Sequence, residues 1–200
     1  MYSQSLEEKY ILEYFGDYVG TFCSLGESDG ETYSNVRALA LKGWRGILVE
    51  PVPKAFEKMK ELYKGYRGFY LKNYAITDFN GTKIFNVNKK GVVNGDCGLL
   101  GTFHQSEMER FKRLTDYEQI PVRCHHWKTA INGWRIKEFD MISIDIEGDE
   151  LNVLPDINLS KTRLVCIEWN SKPELKTEYD KYLEGFKVIY TSLENLIYAR

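Results

Sequence analysis

Apolar and polar positions alternate between two rhythms along the chain. Short runs of consecutive apolar residues are followed by longer stretches in which apolar residues recur every three to five positions. Residues 6–15, with Leu6, Tyr10, Leu12 and Phe15 at such spacings, predict a short amphipathic helix. Residues 18–25 form a β-rich run that stops at Gly26, and residues 32–42 carry Val36, Leu39 and Ala40 at helical spacing. Gly46-Ile47-Leu48-Val49-Glu50 reads as a strand ended by Pro51. The rhythm then repeats: a helix over 53–63 with Phe56, Met59 and Leu62 on one face, a strand over 69–76 and an additional one over 82–87. A glycine-rich loop follows over 88–101, with Gly91, Gly95, Gly98 and Gly101, then a helix over 106–114 opening on a Ser106-to-Glu109 capping box. Strands at 139–144 and 163–168 flank a helical turn at 150–154; a helix over 173–186 and a hairpin of 187–191 with 196–199 end the pattern.

Strands alternating with helices predict a parallel sheet covered on both faces. The final hairpin is too short for a parallel crossover, so its last strand should enter antiparallel. The expected fold is α/β: seven strands, mostly parallel, the last one reversed. In such sheets ligands bind beyond the carboxyl ends of the strands, where the strand order switches direction. The residues just after each strand are therefore the candidates.

The chain has 200 residues, enough for one domain over 1–200, with residues 1–16 as an N-terminal helix and 88–104 as a substrate-side loop. Its formal charge of -2 argues against a nucleic-acid partner, which calls for a basic excess. The longest apolar runs fall far short of a bilayer span, so no membrane partner is expected. Residues 1–8 are polar and acidic rather than signal-like, and Cys23, Cys97, Cys124 and Cys166 are too widely spaced for a zinc site. A cytoplasmic protein with free thiols is the expectation.

Chemistry concentrates after three strands. Small residues at Gly26, Ser28 and Gly30 flank Glu27 and Asp29, and a helix with Ser34 and Asn35 near its start follows; this turn lacks the glycine spacing of a dinucleotide site. Glu50 stands at the next strand end, 20 residues beyond Gly30, where a carboxylate can accept both ribose hydroxyls of a nucleoside. Asp145-Ile146-Glu147-Gly148-Asp149-Glu150 places four carboxylates within six residues beyond a strand. Helix capping accounts for Asp149 and Glu150 but poorly for Asp145. Glu168-Trp169-Asn170 adds an acid and an amide at the same rim. Of the three histidines, His104 follows the glycine-rich loop as a possible general base, and of the adjacent His125 and His126 at most one can reach a site. Lys89-Lys90 and the Arg110-Lys112-Arg113 cluster read as solvated faces.

Ser24-Leu25-Gly26-Glu27-Ser28-Asp29-Gly30, Gly43 through Pro51 and Ser143-Ile144-Asp145-Ile146-Glu147-Gly148 together resemble the FkbM family of methyltransferases. Ser3 to Glu8 is similar to the motif that opens many members, and Ala75-Ile76-Thr77-Asp78 with Gly81 to the segment after the third strand. The resemblance implies a Rossmann-like methyltransferase fold using S-adenosylmethionine, with a hydroxyl of a sugar or other small metabolite as acceptor. Position by position it implies Gly26, Ser28 and Gly30 around the methionine part and Glu50 at the ribose, with Asp29, Ser34, Asn35 and Pro51 also among the cofactor-binding residues. It also implies Asn73, Ala75 and Ile76 beside the adenine and Asp145 near the transferred methyl group. Asp145, Glu147, Glu168 and His104 are the expected catalytic groups.

Two departures stand out: Ser24 occupies the position of the family's usual first-strand acid, and Glu27-Ser28 that of its usual Ala-Asn. The alternative reading is therefore a catalytically degenerate nucleoside- or sugar-binding protein of the same fold. Asp145, Glu168 and Asn170 also resemble in placement the ligands of metal-dependent catechol-type O-methyltransferases. The family resemblance implies no metal, and Asp145, Glu147 and Glu168 are read as acceptor-side polar groups.

Overall fold

A computed structural model describes residues 1–89, 99–111, 113 and 116–200. The expectations placed on Lys90, Gly91, Gly95, Cys97, Gly98 and Lys112 lie outside the described residues. The main sheet has seven strands: β1 (Thr21–Leu25), β2 (Arg45–Val49), β3 (Phe69–Lys72), β7 (Met141–Ile144), β8 (Leu164–Glu168), β9 (Lys187–Thr191) and β10 (Asn195–Ala199). Their spatial order is β3-β2-β1-β7-β8-β10-β9, with β10 antiparallel to both neighbours, as the short terminal hairpin requires.

The central strands are buried on both faces, which is why they read as unbroken apolar runs rather than alternating ones. Alternation reappears in the packing. Cys23, Leu25, Ile47, Val49, Ile142, Ile144, Val165 and Ile167 face one core, with Trp127, Trp134, Val153 and Tyr179. Phe22, Leu48, Met141, Leu164 and Cys166 face the other, with Ile11, Phe15, Leu39, Trp44 and Met59. Helices α1 (Glu7–Phe15), α2 (Arg37–Leu41) and α3 (Pro53–Leu62) supply the second core, and α5 (Trp127–Asn132), α6 (Glu150–Val153) and α7 (Pro173–Tyr182) the first. Cys23, Cys124 and Cys166 are free and buried.

Several elements depart from the sequence reading. The single strand expected over 69–76 is two. Lys72 ends β3, and β4 (Ala75–Thr77) leaves the main sheet to pair with β6 (Tyr117–His126). With β5 (Gly81–Asn88) these make a second, three-stranded sheet in the order β4-β6-β5. Its apolar side, Ala75, Phe85, Val87, Val122 and Cys124, packs on Val52 and Ala55 at the start of α3. The helix expected over 32–42 begins only at Arg37, because residues 26–36 form an irregular loop. The expected capping box is not formed: α4 (Gln105–Phe111) starts before Ser106, which lies inside its first turn.

The sheet switches direction between β1 and β7, the two strands that carry Gly26 and Asp145 at their ends. Asp145 N–H donates to the Leu25 carbonyl at 3.0 Å, and a Cβ on Gly26 would lie 1.7 Å from the Asp145 carbonyl oxygen. Gly26 also has φ +78°, a conformation that costs side-chain-bearing residues about 1–2 kcal/mol. Gly26→Ala should therefore destabilise the fold by at least about 2 kcal/mol, the conformational cost and the clash acting together. Urea unfolding monitored by tryptophan fluorescence would measure it, and an unchanged midpoint would contradict the packing described here.

Candidate active site

A cleft opens above the strand switch in two parts that meet at Gly26, Ser28, Leu99 and Asp145. The larger part, about 590 Å³, is lined on one side by Val49, Glu50, Pro51, Tyr74, Ala75 and Ile76, and on the other by Phe85, Leu99, Leu100, Gly101 and Phe103. Asp145, Ile146, Glu147 and Asp149 form its floor at the end of β7. The smaller part, about 320 Å³, is lined by Ser24, Glu27, Thr32, Tyr33, Ser34, Asn35 and Ser143 besides the shared residues.

Glu50 is almost fully buried, and its carboxylate braces the two turns that flank it. Ser28 N–H donates to Oε2 at 2.8 Å and Val52 N–H to Oε1 at 2.7 Å. These two bonds fix the direction of the Glu50 carboxylate. Ser28 takes a left-handed φ of 53° in the turn beneath. Asn73, exposed, donates to the Glu50 and Pro51 carbonyls at 2.9 and 3.2 Å, tying the start of β4 to the end of β2. It therefore supports the cleft from behind, while Ala75 and Ile76 line it. Asp29 also lies outside the lining: its carboxylate accepts from Glu31 N–H, Thr32 N–H and the Thr32 hydroxyl. A Cβ on Gly30 would meet Met59 and Tyr63 of α3 at 2.9 Å, so this glycine serves packing between loop and helix.

The acids beyond β7 and β8 differ in their partners. Glu150 Oε1 and Oε2 accept from Ile146 N–H at 2.9 Å and Gly148 N–H at 3.1 Å, folding the loop over the start of α6. Asp149 Oδ1 accepts from Asn152 at 2.8 Å and lies 3.0 Å from His104 Nε2. His104 sits over Gly148, where a Cβ would come within 2.9 Å of its ring. It reaches the cleft only through Asp149. Asp145, Glu147 and Glu168, by contrast, each direct a carboxylate oxygen to one point, the three oxygens lying within 4.8 Å of one another. Burial pushes Asp145 up to about 7, helped by the charges of Glu150 and Glu27. Burial likewise holds Glu147 and Glu168 well above the ordinary carboxyl range, with the charges of Asp145 and Glu150 adding to both. Such a cluster can share protons, accept hydroxyl or ammonium donors, or take a hard cation.

Asn170 does not join that cluster. Strand β8 ends at Glu168, and Asn170 turns away with φ 51°. Its amide donates to Glu168 Oε1 at 2.6 Å and its Oδ1 accepts from Arg110 at 2.8 Å. Arg110 and Lys172 both bind Glu107, whose carboxyl they lower against the opposing effect of burial. Arg110 therefore docks α4 on the β8 rim rather than forming a solvated face. The histidines of β6 line neither part of the cleft: His126 caps α5 and pairs with Asp156, and His125 lies against the Tyr74 ring at 4.4 Å.

The sequence reading did not single out Tyr74, Phe85, Leu99, Leu100 or Phe103 as lining residues. Phe85 lies on β5 and Tyr74 just before β4, in a second sheet whose existence no periodicity announced. Phe103 precedes His104 and was discernible only as an apolar residue at the end of a glycine-rich segment.

With this geometry in view, comparison with known proteins is specific. The Methyltransferase FkbM domain matches residues 24–191. The chain belongs to the FkbM methyltransferase family. No curated protein matches it. A methyltransferase from Geobacter sulfurreducens shares the fold with a TM-score of 0.53 and 11% identity, over 99% of this chain and 79% of that one. An inferred RNA methyltransferase from Pyrococcus horikoshii gives 0.51 and 13%, over 97% and 80%. Monomeric WbdD gives 0.49 and 12%, over 98% of this chain and 41% of its own, so the chain spans about two fifths of that protein's length. At these identities the likeness shows the Rossmann-like methyltransferase fold alone. No helix among the described residues of this FkbM domain is long and apolar enough to cross a membrane.

The raised carboxyls set a pH dependence. A native carboxyl whose pKa lies above its unfolded value binds protons that the unfolded chain has already released, so stability declines as pH rises through that interval. The melting temperature of the unliganded protein should fall between pH 5 and pH 8. Glu168→Gln removes one such group and should reduce that fall, each pK unit being worth about 1.4 kcal/mol. Scanning calorimetry across the pH series would show parallel curves for the two proteins if Glu168 titrated normally.

Proposed function

We propose that this FkbM domain transfers a methyl group from S-adenosylmethionine to a hydroxyl of a sugar or another small metabolite, as a cytoplasmic enzyme needing neither nucleic acid nor membrane. The observation that carries the reading is the placement of Glu50 and Asp145 in one cleft on either side of Gly26, at the strand switch.

The residues present fit the cofactor. Ala75, Ile76, Tyr74 and Val49 offer an apolar slot for a purine; Glu50, oriented by Ser28 and Val52, lines the same cleft as the carboxylate for a ribose diol. Ser28, Ser34 and Asn35 line the smaller part, which suits the amino-acid end. When bound, the cofactor supplies a methyl group on a positively charged sulfur. Displacement at that carbon asks chiefly for alignment, then for a base to take the hydroxyl proton. Asp145, brought up to about 7, can accept that proton near neutral pH. Glu147 and Glu168 beside it would hold the acceptor's hydroxyls and stabilise the proton once transferred. His104 would act as a positioning residue, fixing the Asp149 carboxylate at the cleft floor. The three carboxylates could coordinate a divalent cation, yet hydroxyl binding and proton transfer use them fully without one.

Two measurements test the reading. Glu50→Ala should weaken S-adenosylhomocysteine binding at least about tenfold, since charge-assisted hydrogen bonds contribute about 1.5–3 kcal/mol each. Glu57→Ala, on the exposed face of α3, should leave affinity unchanged. Titration calorimetry on folded variants decides, and equal affinities for wild type and Glu50→Ala would refute the ribose assignment. Methyl transfer, followed by mass spectrometry of a hydroxyl-acceptor panel, should survive EDTA. Activity lost to EDTA and restored by Mg²⁺ would reassign Asp145, Glu147 and Glu168 as metal ligands.

A further inference from the structure

The proposed chemistry leaves Glu27, a buried acid of the cleft wall, unused. Glu27, in the smaller part of the cleft, is only 4% exposed, and its carboxylate accepts from the Ser24 and Ser34 hydroxyls at 2.5 Å each. Those bonds leave roughly two of its acceptor positions open. Unlike Glu50 and Glu150, it accepts no backbone N–H among the described residues, so it is not bracing a turn. Nor is it capping α2, whose first amides, Val36 N–H and Arg37 N–H, donate to Ser34 Oγ. The nearby Arg37 guanidinium does not pair with it: this group lies over the Tyr63 and Tyr66 rings, with Nε and Nη1 unpartnered. A carboxyl buried without a cation is costly, and burial accordingly pushes Glu27 up to about 7.

A second, independent group on the same wall lacks a partner. Asn35 lines this part of the cleft, is 7% exposed, and its Oδ1 accepts from nothing among the described residues. Its amide reaches only Ser143 Oγ, at 3.5 Å. The space is thus rich in unsatisfied acceptors, and it joins the main cleft at Gly26. A primary ammonium on a short chain matches it in charge, in number of donors and in size.

We infer that Glu27 and Asn35 Oδ1 together receive the ammonium at the amino-acid end of the cofactor. The inference rests on the methyltransferase reading and adds a residue to it. It also accounts for both departures at once. The carboxylate missing at Ser24 is supplied three residues later and held at the same strand end by the Ser24 hydroxyl.

The test pairs two ligands with two proteins. S-adenosylhomocysteine carries the ammonium; 5′-methylthioadenosine keeps the nucleoside and lacks the amino-acid end. Glu27→Gln preserves shape and should weaken S-adenosylhomocysteine about tenfold or more in calorimetry, while methylthioadenosine affinity stays within about twofold. Asn35→Leu should behave in the same selective way and carries the test if Glu27→Gln does not fold. Unchanged S-adenosylhomocysteine affinity, or an equal loss for both ligands, overturns the inference while leaving the methyltransferase reading intact. A wild-type protein that binds neither ligand overturns the methyltransferase reading and the inference with it.

Discussion

The close approach of two strand ends underlies the rest of the site. Gly26 and Glu27 both donate their N–H groups to the Val49 carbonyl, and Asp145 donates to Leu25, so three strand ends are tied across one another within hydrogen-bond distance. Only a residue without a side chain fits at the crossing. Because β2 leaves β1 on one side and β7 on the other, the loops beyond them diverge, and the divergence opens the cleft. The left-handed residues Ser28, Glu147 and Asn170 follow from the same crowding: each loop must turn sharply off its strand to clear its neighbour. These turns set the positions of the acids.

Those acids fall into two populations that the sequence cannot separate. Glu50, Glu150 and Glu107 have their charges met by backbone amides or by Lys and Arg. Glu27 and Glu168, buried, and Asp145 and Glu147, half-buried, form no ion pair with Lys or Arg among the described residues, and each is displaced upward, as Glu150 is too. The first population builds the walls. The second lines the cleft with acceptor oxygens and exchangeable protons, which suits hydroxyl donors and groups that bring a positive charge.

Much of this was legible from residue patterns. Strands buried on both faces declare themselves as apolar runs, and the short hairpin at 187–199 dictated the reversed strand. Glu50 and Asp145 were found because strand ends are where open α/β sheets bind ligands. What remained hidden has a common cause. The β3–β4 break at Asn73 leaves no trace in a run that stays β-rich from Phe69 to Ile76, so the second sheet and its aromatic wall went unseen. Asp29 and Gly30 looked like ligand contacts because a turn residue that closes its own loop and one that meets a ligand have the same composition. Glu27 looked like a defect, since its partnership with Ser24 and Ser34 exists only after the loop is folded.

The second sheet carries a consequence for how this scaffold can diversify. Strands β5 and β6 are paired from Gly81 with Cys124 to Asn88 with Tyr117, so everything between residues 88 and 117 departs from and returns to adjacent rungs of one ladder. The ends of that segment are clamped whatever its content, and the entropy of closing a longer loop grows only logarithmically with length. Changes of length there leave the backbone pairing of the strand switch, which carries Gly26, Glu50 and Asp145, unchanged, and act on the cleft through the wall that Leu99 to Phe103 form. Thr102, whose hydroxyl donates to the Glu147 carbonyl at 2.8 Å, ties the returning segment to the acid-bearing loop. With the His104 contact to Asp149, that tie couples the segment to the carboxylates, so the scaffold absorbs changes of length there as long as Thr102 and His104 keep their places.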